Sequence, residues 1–209
     1  MMKRLKKKLK SMAGASLAET LLVVLLLAIM GSAITGGISA AVNAHKKALR
    51  KENAEILSDT VLSTLRFELD GAEYLGESTV TEGDASKAVS CFLIHSKDKL
   101  NDMQVGFWIN KEGKLMVSYF TGNNGTYREI TEKSKEDGAP DFTPKAMLTD
   151  KSYTDSLIIN SDIIEKPSSG EGKQMLTITA RIFYKDKDGN SIEVTDHENP
   201  PAAGVSITA

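Results

Sequence analysis

The stretch from Leu21 to Val42 restricts this chain more than any other. No charged side chain occurs between Glu19 and His45, and Leu21-Leu22-Val23-Val24-Leu25-Leu26-Leu27-Ala28-Ile29-Met30 carries no polar side chain at all. A helix of roughly 20 apolar residues is long enough to cross the hydrocarbon of a bilayer. Lys3, Arg4, Lys6, Lys7, Lys8 and Lys10 precede the stretch with no acidic residue among them. Basic flanks are retained on the cytoplasmic side, so a single pass is expected, with a cytoplasmic N-terminus and an exported C-terminal part. His45, Lys46, Lys47, Arg50 and Lys51 follow the span and oppose that orientation, but the leading cluster is larger and has no acidic neighbours.

One carboxylate, Glu19, stands at the mouth of the span. A charge near the end of a membrane helix costs free energy unless a partner satisfies it, which marks Glu19 as a functional candidate. An ordinary secretory signal peptide would use Gly31-Ser32-Ala33 as its small-residue cleavage site. That reading leaves a carboxylate where the apolar core should begin. A plain single-pass anchor explains the hydrophobicity and not the carboxylate. Ser16-x-x-Glu19 is also a capping-box pattern, able to satisfy free N–H groups at a helix start. Capping by itself calls for neither a preceding glycine nor a basic leader.

Gly14-Ala15-Ser16-Leu17-Ala18-Glu19, leading into a long apolar helix, resembles the cleavage and methylation motif of type IV pilins and pseudopilins. Ala15 stands where that family usually has phenylalanine or methionine, and Ser16 where threonine is common. The resemblance implies that a membrane aspartyl peptidase, the prepilin peptidase, cuts between Gly14 and Ala15 and N-methylates Ala15. Glu19 then becomes the fifth residue of the mature chain. It further implies a subunit held in the cytoplasmic membrane and then assembled through its N-terminal helix into an extracellular pilus or a pseudopilus. Its partners would be the membrane, other pilin or pseudopilin subunits, the peptidase and a pilus assembly platform. The machine would serve adhesion, motility, secretion or DNA uptake. Cleavage leaves a cationic amine on Ala15 in or near the apolar phase, where pairing with a carboxylate recovers much of the cost of two isolated charges. If the partners belong to neighbouring subunits, Glu19 supplies register to assembly. The alternative of a different class is a permanently anchored surface domain that binds a ligand and never polymerises.

Beyond the span no proline occurs before Asp70, and Leu49, Ile56, Leu57, Val61, Leu62, Leu65 and Leu69 recur at near three- and four-residue spacing among charged residues. That period predicts one helix from Ser16 to about Leu69, amphipathic in its second half. Gly31, Gly36 and Gly37 suit close helix packing in lipid, or a stretch that loosens on assembly. From Asp70 the chain reads as strands. Ala88–Ile94 is a buried strand, and Val105–Ile109 and Lys114–Phe120 form a hairpin across Asn110-Lys111-Glu112-Gly113. Leu157–Ile164 pairs with Met175–Tyr184, and Ser191–Thr195 follows the turn at Asp186–Asn190. Thr131–Pro144 reads as loop, and Asn199-Pro200-Pro201 as extended or frayed. The expected fold is α+β: a long N-terminal helix, transmembrane then amphipathic, packed on an antiparallel β-sheet in the pilin-like manner. Four segments follow: a leader at 1–14, a transmembrane helix at 15–42, its amphipathic continuation at 43–70 and an exported β domain at 71–209.

Residues 1–51 carry ten basic and one acidic side chain, and residues 52–209 sixteen basic and twenty-seven acidic, a net charge of −11 for the latter. So acidic an exported part argues against direct nucleic-acid binding. Cys91 is the only cysteine, so no intrachain disulfide forms, whereas many pilins close a C-terminal loop with one. Cys91 and His95 share a strand face, but two ligands are too few for structural zinc. Asp186, Asp188, Asn190 and Glu193 offer oxygen ligands for calcium near Gly189, as in some pseudopilins; a turn alone accounts for Asp188-Gly189-Asn190. His45, His95 and His197 are far apart and no catalytic motif occurs, so neither an enzyme nor a cofactor is expected.

Overall fold

The computed structural model describes residues 2–81, 88–95, 104–123, 126–131, 142–160, 163–165, 172–196 and 198–208, with side chains of the N-terminal helix from Leu17 onward. Most of the expected loop at Thr131–Pro144 and the connection at 167–171 lie outside the described residues. Helix α1 runs Met2–Leu69. The leader is therefore helical too, and the backbone of Ser16 lies within the helix rather than at its start. The chain divides into two compact units, residues 1–49 and 50–209.

In the first unit every described side chain of α1 is exposed. The hydroxyls of Thr20, Ser32 and Thr35 donate to the carbonyls of Leu17, Ile29 and Gly31 at 2.9, 2.8 and 2.8 Å. Bonds back to the preceding turn satisfy these hydroxyls on an apolar helix. This helix is long and apolar enough to cross a membrane, and is compatible with a membrane anchor.

In the second unit α1 buries Ala54, Leu57, Ser58, Val61, Leu62, Leu65 and Leu69, the three- and four-residue rhythm of a single helix face. Leu49 and Ile56, counted in the apolar pattern, are instead 42% and 58% exposed, because they lie off that face. The helix ends at Gly71, whose φ of 74° is the left-handed conformation that closes helices, and Gly71 N–H donates to Ser206 O at 2.9 Å.

Eleven strands follow among the described residues: β1 (Glu73–Thr81), β2 (Ala88–His95), β3 (Gln104–Ile109), β4 (Leu115–Asn123), β5 (Thr126–Glu129), β6 (Lys145–Ala146), β7 (Leu157–Ile159), β8 (Lys173–Thr179), β9 (Ile182–Lys185), β10 (Ser191–Glu193) and β11 (Ala202–Thr208). The larger sheet has the order β5-β4-β3-β2-β1-β11-β8, with β6 on β4, and the smaller is β10-β9-β7. Every ladder is antiparallel except β1 with β11, which meet in parallel at Glu73 and Thr208. The fold is α+β, a long helix on a mostly antiparallel sheet.

Period-two alternation sends Phe92, Ile94, Val105, Phe107, Val117 and Tyr119 into one core with the buried face of α1. Cys91, Leu93, Trp108 and Phe120 form a second core with Val80, and the Trp108 indole N–H donates to Ser118 Oγ at 3.0 Å. The expected β3–β4 hairpin forms: Asn110 Oδ1 accepts the N–H groups of Glu112 and Lys114 at 3.0 and 2.8 Å. Its Gly113 has a φ of 75°, and a Cβ there would meet Ile158 Cβ at 2.3 Å.

The expected pairing of Leu157–Ile164 with Met175–Tyr184 is present but interrupted. Ile159 pairs with Ile182, and Ile164 bridges to Ile178. Between them the chain breaks at Ala180–Arg181, so β8 joins the larger sheet and β9 the smaller. Ala180 is fully buried there, its carbonyl accepting from Ser58 Oγ at 3.4 Å and its N–H donating to Pro201 O at 3.0 Å. The segment after Pro201, to which the sequence assigns no strand, forms β11, between β1 and β8, with Val205 and Ile207 buried.

Candidate functional site

Gly14 and Ala15 lie in the helical backbone of α1. Glu19 is exposed on the same helix. Its neighbour Thr20 donates its hydroxyl to the helix's own backbone, at Leu17 O, whereas a carboxylate only accepts and finds no donor in backbone carbonyls.

The oxygen ligands proposed for calcium are arranged by a turn. Asp186 Oδ1 accepts the N–H groups of Asp188 and Asn190 at 2.9 and 2.8 Å, and its Oδ2 accepts Asn190 Nδ2 at 3.1 Å. The Asn190 donors are the main reason that the Asp186 carboxyl is held below its ordinary range. Gly189 completes the turn with a φ of 83°. Glu193 lies on β10, where its Oε1 is 3.5 Å from Thr195 Oγ1 and 3.9 Å from Arg181 Nε. The structure thus brings Asp186, Asp188 and Asn190 into one hydrogen-bonded turn and directs Glu193 to other partners. Among the described residues no group of three or more histidine, cysteine, aspartate or glutamate side chains is arranged to hold a metal.

Cys91 is buried on β2, and burial pushes its thiol up to about 12, so it is not a nucleophile near neutral pH. His95, on the same strand, has its Nδ1 3.7 Å from Glu73 Oε2. His45 is exposed on α1, and His197 lies outside the described residues.

A cleft of about 600 Å³ was not foreseen from the sequence. Phe92, Phe107, Trp108, Asn160, Glu165 and Arg181 are among its lining residues. It opens where the β2–β3 ladder ends at Phe92 and Phe107, while β2 continues along β1 back to Ala88. No sequence signal marks it, because it arises from the length of one ladder rather than from a motif. No family model matches this chain, and neither a curated protein nor a solved structure matches it.

Proposed function

We propose that this chain is a type IV pilin-like or pseudopilin subunit, trimmed after Gly14 and assembled through its N-terminal helix into a filament. The observation that carries this reading is the register of Gly14 and Glu19 at the mouth of an apolar helical stretch whose described side chains are exposed. The basic leader holds the cleavage site on the cytoplasmic side. Cleavage frees the α-amine of Ala15. The Glu19 carboxylate of an incoming subunit then pairs with the Ala15 amine of one already in place. Two unit charges 4 Å apart attract by about 1 kcal/mol in water and about 4 kcal/mol at the effective dielectric of a protein surface, so the contact gains strength as helices exclude water. The apolar surface of Leu21–Val42 supplies the bulk of the association and the ion pair its register.

Glu19→Ala tests this directly. Sheared surface filaments should be lost while processed protein stays at its normal level in the membrane. A second reading draws on the cleft beside Trp108, which would serve a membrane-anchored domain that binds a ligand without polymerising. Under that reading Glu19→Ala leaves surface display and ligand capture unchanged, and wild-type cells carry no filament containing this chain.

A further inference from the structure

We infer that the cleft beside Trp108 receives an extended basic peptide of another polypeptide, which pairs with the open edge of β2 at Ser90 and sets a lysine or arginine side chain against Glu77 and Glu165. The inference concerns residues 50–209 alone and holds for a filament subunit and for an anchored domain alike.

The open edge follows from the ladders. Asn110 N–H donates to Lys114 O at 3.0 Å, so Asn110 and, by alternation, Trp108 and Gly106 turn their main-chain groups toward β4. Val105, Phe107 and Ile109 then turn theirs toward β2, where Phe107 lies opposite Phe92 and Val105 opposite Ile94. Ser90, two residues before Phe92, faces the same side, and its partner would be Ile109. That pair does not form. The ladder stops at Phe92 and Phe107, and among the described residues no backbone bond reaches Ser90 from that side. Along its other edge β2 stays registered on β1, with Ser90 opposite Thr79 and Ala88 opposite Thr81. Ser90 is exposed and lines the cleft, so its N–H and C=O are offered to whatever enters. Main-chain groups of a strand held in place on one side pair with an extended chain as they would with another strand.

The same alternation selects the side chain that fits. Phe92 lies opposite Glu77, and Ser90 is two residues from Phe92, so Ser90, Phe92 and Glu77 share one face of the sheet. A peptide residue opposite Ser90 sends its side chain to that face. The charge it meets there is negative. Glu77 and Glu165 are exposed carboxylates of the cleft lining. Arg181, the lining's cation among the described residues, has its Nε 3.9 Å from Glu193 Oε1, a carboxylate of its own unit. A basic side chain on the peptide therefore finds opposite charge, whereas an acidic one would face two carboxylates. The net charge of −11 over residues 52–209 extends the same sign beyond the cleft and favours the approach of a basic partner. A volume of about 600 Å³ lies within the range of about 300–1,000 Å³ usual for ligand sites.

A short fluorescein-labelled peptide of alternating threonine and lysine, titrated with the detergent-solubilised full chain and read by anisotropy, tests the site. It should bind saturably, and its counterpart with glutamate in place of lysine should not. Methylating the lysine amide nitrogens keeps every charge but removes the donors that face Ser90, and should weaken binding about tenfold. Ser90→Pro removes the protein's own donor while sparing the β1 ladder, and should do the same at an unchanged melting temperature. Glu165→Lys should weaken binding to a similar degree. No saturation up to about 1 mM overturns the inference. Equal binding of the acidic peptide overturns it too. Binding indifferent to both methylation and Ser90→Pro would mean that charge alone holds the peptide, and also overturns it. Should Ser90→Pro lower the melting temperature, the methylated peptide on the wild-type chain decides. Glu19→Ala should bind the peptide as wild type does, with or without filaments, so a failure of the filament reading and a failure of this one are seen separately.

Discussion

The Asp186 carboxylate closes its own turn, accepting from Asp188 and Asn190, and its acidity is raised by those donors. A carboxyl whose pKa is lower in the folded chain stabilises above its ordinary value of about 4, and that contribution is lost as pH falls through the lowered folded value. Replacing Asp186 by asparagine should therefore lower the melting temperature of the detergent-solubilised chain at about pH 7, and the difference from wild type should narrow on titration to about pH 3. A difference independent of pH would show that the carboxylate charge is not what closes the β9–β10 turn. Glu19 is singled out by a one-dimensional setting: a lone charge at the mouth of an apolar run, at a fixed distance from a glycine. The Asp186 turn was legible as a turn, but the consumption of its oxygens by backbone N–H groups depends on three-dimensional closure.

At the scale of elements, periodicity located the amphipathic helix but did not assign its face. The buried positions include Ala54 and Ser58, small residues with weak or no apolar signal, and exclude Ile56. Ser58 is buried because its hydroxyl reaches the carbonyl of Ala180, where the chain crosses from one sheet to the other. In the sequence only Ala180-Arg181 interrupts the strand-forming residues of Met175–Tyr184, too weak a signal to mark that crossing, because tertiary pairing decides where the run breaks. Strand β11 was overlooked for a related reason: Ala202, Ala203, Gly204 and Ser206 dilute the alternation that Val205 and Ile207 alone maintain, just after two prolines. The face of α1 gives a quantitative expectation. Leu65 is fully buried, so Leu65→Ala should cost about 2–5 kcal/mol, whereas Ile56→Ala should fall within about 0.5 kcal/mol. Denaturant unfolding of the two variants checks it, and equal costs would mean that α1 presents a different face to the sheet.

Taken whole, the molecule joins two physical regimes in one helix. Residues 17–49 expose a largely apolar surface on which the Thr20, Ser32 and Thr35 hydroxyls bond back to their own backbone, and residues 50–209 form a core-bearing α+β unit. Net charge changes sign along the chain, from +9 over residues 1–51 to −11 over residues 52–209. The apolar stretch was legible because bilayer thickness acts on composition alone, whereas the break between the units falls after residue 49 and not at the expected 42 or 70. The sheet order was not legible, since the single parallel contact between Glu73 and Thr208 joins strands from opposite ends of the unit. The central claim is that the leader is removed at the Gly14–Ala15 bond. Intact mass and N-terminal sequencing of the native protein, from membranes and from sheared surface material, test it most directly. The account predicts a chain that begins at N-methylated Ala15 in both fractions. A chain beginning at Met1, or close to Ile34, would contradict it.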